Sequence, residues 1–172
     1  MPPGCRVRAV SDIHTHNPQA RDAIINLEPG MAMRADGLYS AGWHPWWAQP
    51  RMDWVEAMAG DGRVVAIGEC GIDKRRGIGT VEEQLALTRR HAELAERLGL
   101  PLILHIVGAW SEIIGLRKEM RPRQEWIIHG FRGKPELARQ LVAAGFGISL
   151  GKRYNPGVPA VVPQEKLYRE TD

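Results

Sequence analysis

The hydrophobic and polar positions follow a regular order from about residue 62 onwards. Four short apolar runs stand at 64–68, 100–105, 125–129 and 146–150. Each run is typical of a strand that is buried on both faces of a parallel sheet. Stretches with helical spacing separate these runs, and alternation of strand and helix predicts a mostly parallel sheet.

The longest helix is predicted from its first turn. Thr80 is followed three residues later by Glu83, which is the spacing of a capping box. An amphipathic stretch continues to Leu98, and Gly99 ends it. Shorter helices are predicted at about 51–58, 109–119 and 134–144.

The remaining strands are predicted at 6–12, 23–27, 37–42 and 167–172. Only residues 17–21 lie between the polar segment that ends the first strand and the start of the second strand. A parallel crossover usually needs a dozen residues or more, so we expect the second strand to be antiparallel or at an edge. Eight strand candidates predict a compact, distorted (β/α)8 TIM-like barrel, a fold that typically takes about 250 residues. We therefore expect an incomplete helical ring around the first three strands and before the last, and uncovered sheet surface that favours a homo-oligomer.

Composition limits the class of protein. The 172 residues suit one domain, 1–172, with one core. The chain has 23 Lys and Arg against 20 Asp and Glu, and this net charge of +3 permits an anionic substrate without requiring one. Lys74–Arg76 is a small basic cluster for which a solvated loop is the simpler interpretation. Two cysteines, Cys5 and Cys70, make no disulfide framework, and no signal peptide or membrane span is predicted, so we expect a cytoplasmic protein.

His14 and His16 are the first candidates for chemistry. One residue separates them, and on extended backbone this spacing turns both side chains to the same face. Two adjacent imidazoles suit Zn, Mn, Ni or Fe. Two buried structural histidines are a weaker explanation, because each ring then needs its own polar partners.

Further polar candidates stand at or next to the carboxyl ends of predicted strands: His44, Glu69, His105, His129 and Asp172. In a barrel these ends face the active site. Five of the six histidines of the chain lie there, whereas His91 falls within the long helix, where we expect a structural or exposed role. This distribution favours a metal site at the mouth of the barrel.

Six segments in this order resemble the TatD-type metal-dependent hydrolases of the amidohydrolase superfamily: His14-Thr15-His16, Gly42-Trp43-His44-Pro45, Gly68–Asp73, Pro101–His105, His129–Gly133 and Glu170–Asp172. The resemblance implies a centre of two divalent ions (Zn, Mg, Mn or Ni) bridged by Glu69. It assigns the other ligands by position: His14, His16 and Asp172 to the first ion, His105 and His129 to the second.

The resemblance also implies a deoxyribonuclease that cleaves phosphodiester bonds with a metal-bridging hydroxide. Asp172 would orient or deprotonate the attacking water. His44 and Arg132 would bind phosphate or stabilise developing charge, although a surface-loop arginine explains Arg132 equally well. Trp43 and Trp46 would stack bases, as aromatic side chains do in proteins that bind single strands.

Other functions stay open at this point. Related barrels hydrolyse small phosphate esters, lactones or amides, and a non-enzymatic metal-binding scaffold is a third possibility. Family members are usually longer than this chain, with a helix after the first strand and more helices after the Glu-Thr-Asp segment. Asp172 would then stand beside a terminal carboxylate, where chains tend to fray. Either this is a compact branch whose tail is lost, or the final ligand of the first ion is held poorly.

Overall fold

The computed structural model describes residues 6–172 and contains eight strands in a single sheet. Neighbours in the chain are neighbours in the sheet, every pair is parallel, and the last strand contacts the first in a nearly closed barrel. The strands are β1 (Asp12–Thr15), β2 (Ala23–Asn26), β3 (Leu38–Ala41), β4 (Val64–Asp73), β5 (Leu102–Val107), β6 (Trp126–Ile128), β7 (Gly147–Leu150) and β8 (Leu167–Arg169). The predicted fold class is confirmed.

Four α-helices follow the third to sixth strands: α1 (Met52–Ala59), α2 (Val81–Leu98), α3 (Trp110–Met120) and α4 (Pro135–Ala143). Thr80 and Glu83 form the predicted capping box, and Gly99 ends α2 in the left-handed conformation at φ 69°. Within residues 6–172 no α-helix connects the first three strands or precedes β8, so the ring is incomplete as predicted. None of the helices in this part of the chain has both the length and the apolarity that crossing a bilayer requires.

The prediction of a first strand at 6–12 was wrong. Val7–Ala9 form a turn of 3₁₀ helix, and β1 begins only at Asp12. Val7 is buried against Ile13, Ile24 and Tyr168 of three strands. Its apolar character therefore reflects packing against the sheet and not a strand.

The second strand was also predicted wrongly, because β2 is parallel to both neighbours and lies between them. The two strands have four residues each, so the connection 16–22 needs to return only about 13 Å, and seven extended residues reach about 23 Å. Loops cover this side of the barrel in place of helices. Arg34 ties them together by donating hydrogen bonds to the carbonyl oxygens of Pro18 and Ala20, at 2.6 and 2.9 Å.

The core has two layers separated by the sheet. Ile24 and Val65 belong to a small cluster on one face, whereas their neighbours Ile25 and Val64 belong to the large cluster that also contains the helices. Alternation along a strand produces this division. Because β4 continues to Asp73, beyond the apolar run predicted at 64–68, Glu69 lies within the strand and its carboxylate is fixed by the sheet.

Candidate metal centre

Glu69 lies at the centre of the cluster of polar side chains and is only 3% exposed. Its backbone N–H donates to the side-chain oxygen of Asn26 at 3.0 Å, which anchors β4 to β2 at this level. One carboxylate oxygen, Oε2, lies 3.3 Å from His14 Nε2 and 3.5 Å from His16 Nε2. His14 in β1 and His16 directly after it thus face one side of Glu69, as the one-residue spacing predicted.

The other oxygen of Glu69, Oε1, faces three different imidazoles. It lies 2.7 Å from His129 Nε2, 3.0 Å from His105 Nδ1 and 3.1 Å from His44 Nε2. His105 lies within β5, whereas His129 directly follows β6 and His44 follows β3 by three residues. Parallel strands thus bring together residues that are up to 85 positions apart in the chain. The carboxylate therefore stands between two groups of imidazoles.

Asp172 completes the first group. Its Oδ1 lies 3.2 Å from His16 Nε2 and 3.6 Å from His14 Nε2, and its side chain is 34% exposed at the mouth of the barrel. The backbone N–H of Thr171 donates to Asp12 Oδ1 at 3.2 Å, which ties this segment to β1. Asp172 is thereby placed beside the histidine pair.

The unpaired atoms of the cluster fit a cation. His14 Nε2 and Glu69 Oε2 are buried without a hydrogen bond of good geometry, although they lie close together. Buried polar atoms without partners are costly, and a divalent ion would satisfy both atoms at once. Three overlapping sets have ligand atoms within 4.8 Å of one another: His14, His16 and Glu69; His14, His129 and Asp172; and His44, Glu69 and His105.

Hydrogen bonds decide which nitrogen of His105 faces Glu69. Asp73 Oδ2 lies 2.9 Å from Nε2 of His105, and a carboxylate can only accept, so Nε2 carries the proton. Nδ1 lies 3.0 Å from Glu69 Oε1, which also can only accept, so a direct hydrogen bond there needs a proton on Nδ1, whereas a cation between the two atoms would take the lone pair of Nδ1. An outer carboxylate of this kind is the usual means of orienting a metal-ligating histidine.

His44 is oriented the opposite way. Its Nδ1 accepts the backbone N–H of Trp46 at 3.0 Å, so in the neutral ring Nε2 carries the proton and faces Glu69 Oε1. A nitrogen that carries a proton donates a hydrogen bond and does not ligate a metal. His44 and His105 therefore have different roles, hydrogen-bond donor and candidate metal ligand, although both lie beside Oε1 of Glu69.

His129 lies between two carboxylates. Its Nδ1 is 3.3 Å from Glu170 Oε1, and the hydroxyl of Ser149 donates to the other oxygen of Glu170. Burial alone would lower the pKa of His129, but the negative charges of Glu69 and Glu170 outweigh it and raise the pKa well above the ordinary value. Metal ligation by this ring would displace a proton.

Neighbouring histidines in turn favour the ionised forms of Glu69 and Asp73. Burial favours a high pKa for Glu69, but the charge of His129 and the hydrogen bonds from His105 and His129 hold the pKa of Glu69 well below its ordinary value. Burial also favours a high pKa for Asp73. Hydrogen bonds from His105, from Trp46 Nε1–H at 2.8 Å and from two backbone N–H groups lower its pKa to about 2.

His91 is structural, as predicted, and supports the site from outside. It is fully buried, and its Nε2 accepts the backbone N–H of Trp43 at 2.9 Å while Nδ1–H donates to the carbonyl of Leu87 at 2.8 Å. Helix α2 is thus bonded to the residue that precedes His44.

The structure does not bring Trp43 to the site. Its ring is buried among Trp47 and Trp54 in edge-to-face contacts, and its indole N–H donates to the carbonyl of Trp47 at 3.1 Å. Trp46 instead lines a cavity of about 850 Å³ that opens over the polar cluster, and the exposed Arg132 lines the same cavity. Of the two tryptophans predicted to stack bases, Trp46 is thus the one that lines the cavity, together with Trp47 and Trp110.

Two carboxylates were not proposed as site residues from the sequence, namely Asp73 and Glu170. Both lie in segments that carry other candidate residues, since Asp73 ends the buried strand β4 and Glu170 follows β8. That position was the available signal. Their contacts with His105 and His129, however, depend on which strands are adjacent.

A family model described as TatD related DNase matches residues 12–172. The chain belongs to this family. It is 31% identical over 156 residues to the "3'-5' ssDNA/RNA exonuclease TatD" of Cronobacter sakazakii, covering 82% of this chain and 59% of that protein. It is 29% identical over 150 residues to the "uncharacterized metal-dependent hydrolase YabD" of Bacillus subtilis, covering 80% and 59%. The chain thus spans somewhat more than half the length of these curated TatD relatives.

Solved structures agree with this assignment. A TatD homologue from Escherichia coli, YjjV, superposes with a TM-score of 0.66 at 28% identity, covering 78% of this chain and 57% of that one. A TatD family hydrolase from Entamoeba histolytica superposes with a TM-score of 0.65 at 27% identity, covering 78% and 50%. The predicted resemblance to TatD-type hydrolases is confirmed.

Proposed function

We propose that this protein is a two-metal phosphodiesterase that acts on single-stranded nucleic acid, with residues 1–172 forming a single hydrolase domain. The observation that carries the proposal is Glu69. One buried carboxylate has imidazoles against both of its oxygens and an oxygen without a hydrogen bond. The name of the Cronobacter relative supports the choice of single-stranded DNA or RNA as substrate.

The ligands divide into two groups around Glu69, which would bridge the ions. His14, His16 and Asp172 would hold the first ion, and His105 and His129 the second. When bound, a pair of divalent ions lowers the pKa of a shared water and neutralises charge on both sides of the scissile phosphate. Histidine and carboxylate ligands suit Zn, Mn or Ni, and Mg is also compatible with the carboxylates.

The remaining residues would handle protons and phosphate. His44, whose Nε2–H is held toward the centre by Trp46, would donate a hydrogen bond to an oxygen that gains charge. Asp172, exposed at the mouth, would orient the attacking water and accept its proton. Arg132 would bind a phosphate, because a guanidinium matches the geometry of phosphate oxygens.

The test compares metal content and hydrolysis in three proteins: the wild type, Glu69→Gln and Glu93→Gln. Glutamine keeps the shape of Glu69 and removes its charge, and Glu93 is an exposed glutamate on α2 that serves as the control. We expect about two divalent ions per chain by elemental analysis in the wild type and the control, and at most one in Glu69→Gln. With Mn²⁺ or Mg²⁺, only the first two proteins should release nucleotides from single-stranded oligonucleotides.

Two results would contradict the proposal. Metal content that does not change in Glu69→Gln would mean that Glu69 does not bridge ions. Hydrolysis of small phosphate esters, lactones or amides without cleavage of any oligonucleotide would favour the alternative amidohydrolase-type substrate.

A further inference from the structure

Trp46 is a large aromatic residue that the fold leaves partly uncovered beside the polar cluster. Its side chain is 42% exposed, and it lines the cavity above Glu69. Most tryptophans bury more of their surface than this, so the exposed part of the ring forms an apolar area within a charged cavity.

The ring is nevertheless fixed in position. Its indole N–H donates to Asp73 at 2.8 Å, and its backbone N–H donates to His44 Nδ1 at 3.0 Å. The ring also meets His44 and His105 edge to face, with centroids 4.8 and 5.6 Å apart. An aromatic ring that is already held in place loses little freedom when a ligand stacks on it.

Two arginines lie close to the ring, in a cavity that Glu69, Asp73 and Asp172 also line. The guanidinium of Arg76 lies 5.2 Å from the centroid of Trp46, and Arg75 lines the same cavity. The backbone N–H groups of both arginines donate to Asp73 Oδ1 at 2.9 Å, so the carboxylate that holds Trp46 also holds the loop that carries the charges. A flat apolar surface beside fixed cations is the arrangement that binds single-stranded nucleic acid.

From this geometry we propose that Trp46 is a stacking site for one nucleobase, with Arg75 and Arg76 contacting the flanking phosphates. This rests on the proposed function, because the ligand is the single-stranded substrate of the same cavity. The base is held next to His44 and His105, and its phosphate is thereby kept near Glu69. Every nucleobase has an aromatic face that can stack on Trp46, so the site does not discriminate between base sequences.

The binding test uses two substitutions that separate stacking from the hydrogen bond to Asp73. Trp46→Phe keeps an aromatic ring and loses the indole N–H, whereas Trp46→Leu loses both. Ile78→Ala is the control, since Ile78 is 50% exposed nearby, does not line the cavity, and bonds to Pro45 only through its backbone. The probe is a short phosphorothioate oligothymidylate, which resists cleavage, and its Kd is measured by fluorescence anisotropy on the metal-loaded protein.

We expect Trp46→Leu to raise the Kd by about 5- to 100-fold, in line with the loss of one stacked base, and Trp46→Phe to raise it by less than about threefold. Ile78→Ala should bind as the wild type does. Replacing one thymine at a time by an abasic residue should weaken binding to the wild type at one particular position, and Trp46→Leu should no longer distinguish that position.

Other outcomes would overturn the stacking site. Equal losses in Trp46→Phe and Trp46→Leu would show that the indole acts by holding Asp73. Binding that is insensitive to every abasic position would show that no base is stacked. Failure of the proposed function would give a different result. Binding would still depend on Trp46, which keeps the stacking site, but normal oligonucleotides would not be cleaved, which rules out the nuclease activity.

Discussion

Replacing His91 should change how the stability of the barrel depends on pH. The imidazole is fully buried between α2 and the end of β3, where it accepts one hydrogen bond from Trp43 and donates another to Leu87. Burial in this position lowers the pKa of His91 to about 4. The neutral ring is therefore the form that the fold requires.

The loss of stability at low pH follows from the pKa of His91 in the folded state and the pKa of a histidine in the unfolded chain. An unfolded histidine binds a proton near pH 6.5, so between pH 6.5 and 4 the unfolded state takes up a proton that the native state does not. Stability is present above this range and is lost as the pH falls. The loss is about 2 kcal/mol at pH 5 and about 3 kcal/mol once the pH is below 4.

The assay is urea unfolding from pH 8 to pH 4, with a chelator present so that metal binding does not contribute. His91→Gln retains an acceptor for Trp43 and does not titrate. His16 and His129 have raised pKa values and change stability in the opposite direction, so the useful quantity is the difference between wild type and variant. We expect this difference to shift by about 2 kcal/mol between pH 8 and pH 5.

His91→Leu provides a second comparison at pH 8. It leaves the buried N–H of Trp43 without an acceptor, which costs about 1–3 kcal/mol, whereas His91→Gln should cost less. Parallel pH profiles for wild type and His91→Gln would refute the reasoning, because they would show that His91 is not buried in the neutral form.

Two further predictions concern the site. Gly71→Ala should reduce the free energy of unfolding by more than about 4 kcal/mol, since Gly71 has φ +150° and an added Cβ would lie 1.9 Å from the carbonyl oxygen of His105. Thermal melting checks this against Gly62→Ala, where an added Cβ has open space, and equal melting temperatures would contradict it. Metal binding should release protons and weaken as the pH falls, because the pKa values of His16 and His129 are raised, the first by Glu69 and the second by Glu69 and Glu170. Calorimetric titration in buffers of different ionisation enthalpy measures the release, and heats that do not depend on the buffer would count against it.

Local patterns in the sequence were sufficient for most secondary structure and for the ligand candidates. The capping box at Thr80 and the apolar runs of the later strands depend on residues a few positions apart, so the sequence alone predicted them. His14, His16 and Glu69 could be recognised because polar residues next to short apolar strands have few structural explanations. An eight-stranded and mostly parallel barrel also followed from the order of these patterns, but the parallel direction of β2 did not.

Only the tertiary structure decided contacts between distant residues. The direction of β2 depends on how far a short loop must return, and the burial of Trp43 depends on Trp47 and Trp54 packing around it. The opposite orientations of His44 and His105 depend on whether the partner is an N–H donor or the carboxylate of Asp73. Such choices arise from side chains that meet only after the strands are adjacent, and no spacing along the chain records them.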